Sequence, residues 1–134
     1  MNPFHKWFEN LMDKSSGSWT NNLQVNGECK KRAGPKVLFA EVLLGFSASD
    51  NFQIEYLLEP LVSKIAQEEE WYDSIVYGVL DVFLVSLPQP IKNFKLTIHH
   101  INYNEIESAP IAFRLAARNA ALKALELRGL TSKQ

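Results

Sequence analysis

The sequence predicts an α+β two-layer sandwich, with a sheet of about four strands, two core helices on one face and an extra N-terminal helix. Apolar and polar residues alternate at residues 36–46, 52–58 and 94–99, which is the period of a half-buried strand. Two longer segments, at about 68–87 and 109–128, carry apolar residues at helical spacing instead. Strands and helices that are segregated along the chain favour the α+β class.

Length and composition define the broad class of protein. The chain has 134 residues, 46% hydrophobic and 22% charged, which is typical of one globular domain. A single cysteine excludes an intrachain disulfide and favours a reducing, cytoplasmic compartment. No apolar run approaches the ~20 residues that span a bilayer, so we expect neither a signal peptide nor a membrane partner.

Charge is distributed unevenly along the chain. The formal net charge of −1 argues against a protein that coats nucleic acid without specificity. Residues 1–40 carry a net +3, residues 41–90 a net −8 and residues 91–134 a net +4. If the two basic ends meet, a basic face lies beside an acidic one; otherwise the charges offset each other across one solvated surface.

The first 21 residues are expected to form an amphipathic helix and a linker before the main domain, residues 22–134. Residues 14–22 are rich in Ser, Asn and Gly, as linkers are. Five apolar side chains share one face of the predicted helix: Phe4, Trp7, Phe8, Leu11 and Met12. Three exposed aromatic rings would be costly, so we expect this stripe to cover the chain's own sheet, fill a partner's groove or seal a homodimer.

Three strands are predicted at the start of the main domain. Leu23 and Val25 alternate with polar neighbours in a weak strand, and a basic turn follows at residues 30–35. The strands at 36–46 and 52–58 are joined by a short polar turn. We therefore expect these two strands to pair as an antiparallel hairpin.

Two helices and one strand complete the predicted order. Pro60 is expected to end the third strand, and the glutamates at 68–70 to begin a mostly buried helix, whose N-terminus they suit. After the strand at 94–99, we expect Ser108 to cap the last helix, with Pro110 in its first turn. Small side chains recur at every fourth position of this helix and would let another backbone approach closely: Ala112, Ala116, Ala120 and Ala124.

Residues 92–126 combine a strand, a polar loop with Glu107-Ser108 and an alanine-rich helix that starts at Ala112-Phe113. This arrangement resembles domain IV of translation elongation factor G. In that family the domain ends with a strand, a loop carrying His-Pro-Val-Asp-Ser-Ser and a helix that begins Ala-Phe. Glu107 and Ser108 fall on the Asp-Ser of that loop.

The resemblance extends, in the order of elements, over residues 22–128. It implies a four-stranded sheet with two helices on one face and the left-handed βαβ crossover of a ribosomal-protein superfamily. In that family the domain contacts tRNA and ribosomal RNA through its tip loops, so the ribosome or structured RNA is the implied partner. This chain departs from the family at those loops: Asn104 replaces the loop histidine, and residues 32–34 replace a glycine-rich tip.

Two groups of residues are candidates for RNA contact. The first places four cations within seven positions at the loop equivalent to the family's RNA-facing tip, as phosphate binding requires: Lys30, Lys31, Arg32 and Lys36. The second places an aromatic ring and two amides on the other tip loop, for base stacking and base edges: Asn102, Tyr103 and Asn104. Each group is also compatible with an ordinary solvated turn.

Catalysis and metal binding are not expected. His99 and His100 are adjacent on a strand, so they face opposite sides, and His100 continues the apolar parity of Ile98. Cations beside Cys29 could lower its pKa, but no base is identifiable, and no Gly-x-x-x-x-Gly-Lys-Ser/Thr phosphate loop occurs. The sequence therefore predicts a non-catalytic RNA- or ribosome-binding module without a cofactor. The alternative is a protein-interaction module of the same fold in which RNA contact has been lost.

Overall fold

The computed structural model describes residues 17–19, 22–85, 90–104 and 107–132. The strands are β1 (Gly17–Ser18), β2 (Leu23–Ala33), β3 (Lys36–Ala48), β4 (Gln53–Tyr56) and β5 (Ile91–Asn102). The helices are α1 (Pro60–Glu68), α2 (Trp71–Phe83) and α3 (Pro110–Ser132). The predicted N-terminal stripe lies outside the described residues: Phe4, Trp7, Phe8, Leu11 and Met12.

The strands form one mixed sheet in the order β2-β3-β5-β4. β3 pairs antiparallel with β2 on one edge and with β5 on the other. β4 lies parallel to β5, and the two-residue β1 pairs with the start of β5 on the same edge as β4. Because α3 packs on β2, β3 and α2, with α2 beside it over the core, the predicted α+β sandwich is confirmed.

The hairpin expected between residues 36–46 and 52–58 is wrong. Both edges of β3 are occupied by other strands, so β4 has no edge of β3 with which to pair. The chain instead reaches the far edge of β5, where Ile54 lies opposite Leu96 in parallel register. The hairpin of the structure joins β2 to β3 through Gly34-Pro35, and Gly34 takes a φ of 64° that suits glycine.

Pro60 begins a helix rather than ending a strand. β4 ends at Tyr56, and Pro60 is the first residue of α1, where its missing N–H is no loss. The acidic run at 68–70 spans the junction of two helices, with Glu68 ending α1 and Glu70 preceding Trp71 at the start of α2. The sequence therefore predicted a helix within three residues of the start of α2, wrongly assigned Glu68 to it, and missed α1.

The core lies between the sheet and the helices. The alternation predicted for β3 and β5 is confirmed by the side chains that are buried against the helices: Ala40, Val42, Leu44, Phe46, Phe94, Leu96 and Ile98. Trp19, inside the predicted linker, is only 1% exposed, and its ring stacks on Phe83 with 5.4 Å between centroids. Its backbone N–H donates to the carbonyl of Asn93 at 3.0 Å, so part of that segment belongs to the folded core.

The opposite face of the sheet is open and largely polar. A bulge in the β3–β5 ladder skips His99, which shifts the parity of β5 so that Ile101 is buried and His100 is exposed. The partial burial that the shared parity with Ile98 implies for His100 is therefore wrong, and its Nε2 lies 3.0 Å from Asn102 Oδ1. In the described part of the chain, no helix has the length and apolar composition that a membrane crossing requires.

The closest packing in the fold is along α3. Its row of fully buried small residues leaves room for another backbone: Ala112, Ala116, Ala120 and Ala124. A Cβ on Gly27 of β2 would collide with the α3 backbone at Ala116, and a Cβ on Gly78 of α2 would collide with it at Arg114. The close approach predicted from the alanine ladder is confirmed, and both neighbours meet α3 through a glycine.

We predict that Gly78→Ala destabilises the protein by about 1–3 kcal/mol, because the added methyl overpacks the contact with the rigid α3 backbone. On an open helix face, the same change would gain up to about 1 kcal/mol from helix propensity. Urea unfolding followed by circular dichroism measures the difference. Asp73→Ala, an exposed site on the same helix, is the control, and a Gly78→Ala protein as stable as the unaltered one would contradict this packing.

Candidate functional site

The basic residues predicted in a turn belong to the last part of β2. Lys30, Lys31 and Arg32 pair with residues 37–39 of β3, because the ladder continues to the last residue before the turn. The predicted extent of the turn, residues 30–35, is therefore wrong. All three side chains are exposed. Their backbone positions are set by a regular antiparallel ladder rather than by a loop.

Strand geometry divides these three cations between two faces. Successive side chains of a strand alternate, so Lys31 shares the helix side with the buried Cys29, while Lys30 and Arg32 lie on the open face. The Nζ of Lys30 is 3.7 Å from Glu28 Oε2 and 6.0 Å from the centre of the Phe39 ring. Lys36 begins β3 across the turn from these residues.

An open groove of about 830 Å³ runs between β2 and α3. We call it the β2–α3 groove. Four basic and two acidic residues line it: Lys30, Lys31, Arg118, Lys123, Glu28 and Glu126. The net charge is +2 with or without the Lys30–Glu28 pair, whose side chains lie on the open face of β2. The basic first and last parts of the chain therefore do meet in the fold. Sequence reasoning missed Arg118 and Lys123, whose only signal was a charged position on the surface of a helix.

Two side chains of α3 tie the helix to the outer edge of β2. Asn119 Nδ2 donates to the carbonyl of Glu28 at 2.7 Å, and Lys123 Nζ donates to the carbonyl of Asn26 at 3.0 Å. β2 is an edge strand, and these bonds satisfy groups on its edge that could otherwise pair with another strand. They also hold the two walls of the β2–α3 groove at a defined distance.

The loop after β5 docks beside the hairpin. Ser108 Oγ donates to the carbonyl of Phe39 at 2.8 Å, and the N–H of Phe39 donates to the carbonyl of Glu107 at 3.1 Å. The N–H of Asn104 donates to Ser108 Oγ at 2.9 Å. Phe39 is opposite Lys30 in the hairpin, so this loop lies two strand spacings, about 10 Å, from the Lys30 backbone. The two candidate groups therefore lie at the same end of the sheet.

The side chains of the second group are engaged within the protein. The Tyr103 ring packs on Trp71 with 5.1 Å between centroids, and Asn102 Oδ1 lies 3.0 Å from a ring nitrogen of His100. Asn104 Oδ1 accepts a bond from the N–H of Glu107 at 3.3 Å. These contacts favour a role in holding the loop in shape over a role in reading bases.

The expectation that Ser108 is the N-cap of α3 is wrong. The helix begins two residues later, at Pro110, and the carbonyl of Ala109 accepts the N–H groups of Ala112 and Phe113. The hydroxyl of Ser108 is used in the bonds to the loop and to β3. The expectation that Pro110 occupies the first turn is confirmed.

Cys29 and the histidines do not form a reactive cluster. Burial raises the pKa of the Cys29 thiol, and the nearby Lys31 opposes this with a smaller lowering. The lowered pKa considered from the sequence is therefore wrong, because desolvation outweighs the cation. Within the described ranges, no three His, Cys, Asp or Glu side chains come close enough to hold a metal ion.

The fold and the groove define a small α+β module with a basic side. The chain is similar to elongation factor G of Neorickettsia sennetsu, with 28% identity over 113 residues that cover 83% of this chain and 16% of that protein. Its fold is similar to the crystal structure of a protein from Thermus thermophilus, with a TM-score of 0.68 and 21% identity over 78% of this chain and 16% of that one. No family model matches the sequence.

These comparisons confirm the resemblance to domain IV of elongation factor G at the scale of one domain. The chain spans about one sixth of the length of each of these two proteins. The likeness thus concerns a segment of those proteins and not the whole of either.

We predict that Ser108→Ala loosens the loop beside the hairpin and costs about 1–2 kcal/mol of stability, since it removes a part-buried hydroxyl with two partners. Amide exchange measured by NMR should accelerate at Asn104, whose N–H loses its acceptor. Ser49→Ala removes an exposed hydroxyl and is the control. Unchanged exchange at Asn104 would contradict the anchoring role of Ser108.

Proposed function

We propose that this chain is a non-catalytic RNA-binding module of the translation machinery that works in the cytoplasm. It would contact structured RNA of the ribosome with the end of the sheet where the β2–β3 hairpin lies beside residues 103–104 and 107–108. The observation that carries this proposal is the similarity to elongation factor G over 83% of the chain. In the family that the chain resembles, this end of the domain faces RNA.

The cations at this end suit the recognition of phosphates. Lys30, Lys31 and Arg32 follow one another on a strand, so their backbones are spaced by about 3.3 Å per residue on a rigid ladder. The ion pairs of Lys30 with Glu28 and Glu41, at 3.7 and 3.9 Å, are exposed and therefore weak. A phosphate can replace these partners at little cost.

The acidic run at 68–70 lies on the β5 side of the fold, beside Tyr103 rather than beside β2. Glu68 to Glu70 adjoin Trp71, which packs on Tyr103 at the end of β5. β2 lies two strands away, beyond β3. Negative charge on that side repels phosphates and favours an approach of RNA from the β2 side.

Catalysis is no part of the proposed function. The buried Cys29 has a raised pKa, so little thiolate forms near neutral pH. His99 lies over Gly45, where its Nε2 occupies the place that a side chain would take. Neither residue is paired with the other in a nucleophile and base arrangement.

We predict that the purified chain co-sediments saturably with 30S and 70S ribosomal particles and that binding weakens as salt rises. The variant K30A/K31A/R32A should bind about tenfold or more weakly at low salt. Each lost phosphate contact should reduce the slope of log affinity against log salt by about 0.7–0.9.

Single variants make this test specific. Lys64→Ala removes an exposed cation on α1, far along the chain from the hairpin, and is matched to Lys31→Ala. Only Lys31→Ala should weaken binding. Equal affinities of the triple variant and the unaltered chain would contradict the site. Absence of binding at low salt would contradict the proposed function and favour the protein-interaction alternative.

A further inference from the structure

We propose that the β2–α3 groove is a second part of the RNA site and holds the phosphate backbone of the RNA strand as it leaves the hairpin end. This inference rests on the proposed function, since both parts contact one RNA. It assigns to Arg118 and Lys123 of α3 a contact that the hairpin residues alone do not provide.

Lys31 links the hairpin end to the groove. It lies on the helix side of β2, and its charge acts on the thiol of Cys29, which faces the same way. Lys31 lies five positions along β2 from Asn26, where Lys123 is bound, a distance of about 17 Å. Along the axis of B-form DNA, each strand carries one phosphate per about 3.4 Å, so a length of this order faces several consecutive phosphates.

The charges of the groove are ordered along its length. α3 runs away from the hairpin end, because its first turn follows the loop docked on Phe39 and Lys123 lies beside Asn26. Glu126 therefore lies at the end of the groove farthest from the hairpin. The other carboxylate, that of Glu28, is already within 3.7 Å of Lys30. A cationic track thus continues from the hairpin past Arg118.

The groove is built before any ligand arrives. The bonds from Asn119 and Lys123 to the edge of β2 hold its walls, which lowers the cost of ordering on binding. An ammonium has three N–H donors, so Lys123 can keep its bond to Asn26 and still donate to a phosphate.

The same bonds favour RNA over a peptide that would add as a strand to β2. A peptide strand needs the edge carbonyls of Asn26 and Glu28 as acceptors or must fit beside them, and α3 already occupies both. A phosphate backbone needs only donors and positive charge, and the side chains of the groove supply these.

The test compares two charge reversals on exposed helical positions: Arg118→Glu in the groove and Lys64→Glu on α1. Both change the net charge equally, so a general electrostatic effect would weaken both alike. With 30S subunits over a salt series, we expect R118E to lose about tenfold or more in affinity and K64E to change less than twofold. Lys123→Gln, which keeps an amide donor for Asn26, should weaken binding further when added to R118E.

Circular dichroism and the thermal unfolding midpoint check that each variant is folded. If R118E binds like the unaltered chain while K30A/K31A/R32A binds more weakly, the groove has no part in RNA binding and the proposed function stands. If R118E and K64E weaken binding equally, the groove is likewise excluded as a specific track. If the unaltered chain does not bind 30S subunits, both the groove and the proposed function are overturned.

Discussion

The rest of the structure depends on the close packing of α3 against β2 and α2. Gly27 brings β2 onto the alanine row of this helix, and Gly78 brings α2 onto the helix at Arg114 and Ala117, where any larger side chain would collide. Because the helix sits so close to the sheet, Asn119 and Lys123 reach the edge of β2 and bond its carbonyls. The packing of small residues therefore produces both a stable layer and a groove with fixed walls.

The packing of α3 against β2 also determines where the basic parts of the chain lie in the fold. The basic first part contributes β2 and the basic last part contributes α3, so the two meet at the groove. The acidic run falls at the junction of α1 and α2, across the sheet from β2. A chain with a net charge of −1 thereby presents a local surface that suits phosphate, which the total charge alone argues against.

Local patterns predicted local structure well, and they failed where distant parts of the chain decide. The alternation in β3 and the alanine row of α3 each depend on one segment, and both were predictable. The partner of β4 was not, since β2 and β5 take both edges of β3. The bulge at His99 is equally invisible in a strand pattern. From the sequence, Arg118 could be assigned only to the surface of a helix. The fold places it with Lys31 in the lining of the β2–α3 groove.

The most direct test of the account is a lysine footprint of the chain bound to 30S subunits, read by acetylation and mass spectrometry. Exposed lysines that belong to different elements of the fold serve as controls for one another in a single experiment. Binding should protect Lys30, Lys31 and Lys123 and leave Lys64 on α1 as reactive as in the free chain. Protection of Lys64, with Lys31 and Lys123 still reactive, would place the contact on the other side of the molecule and contradict the account.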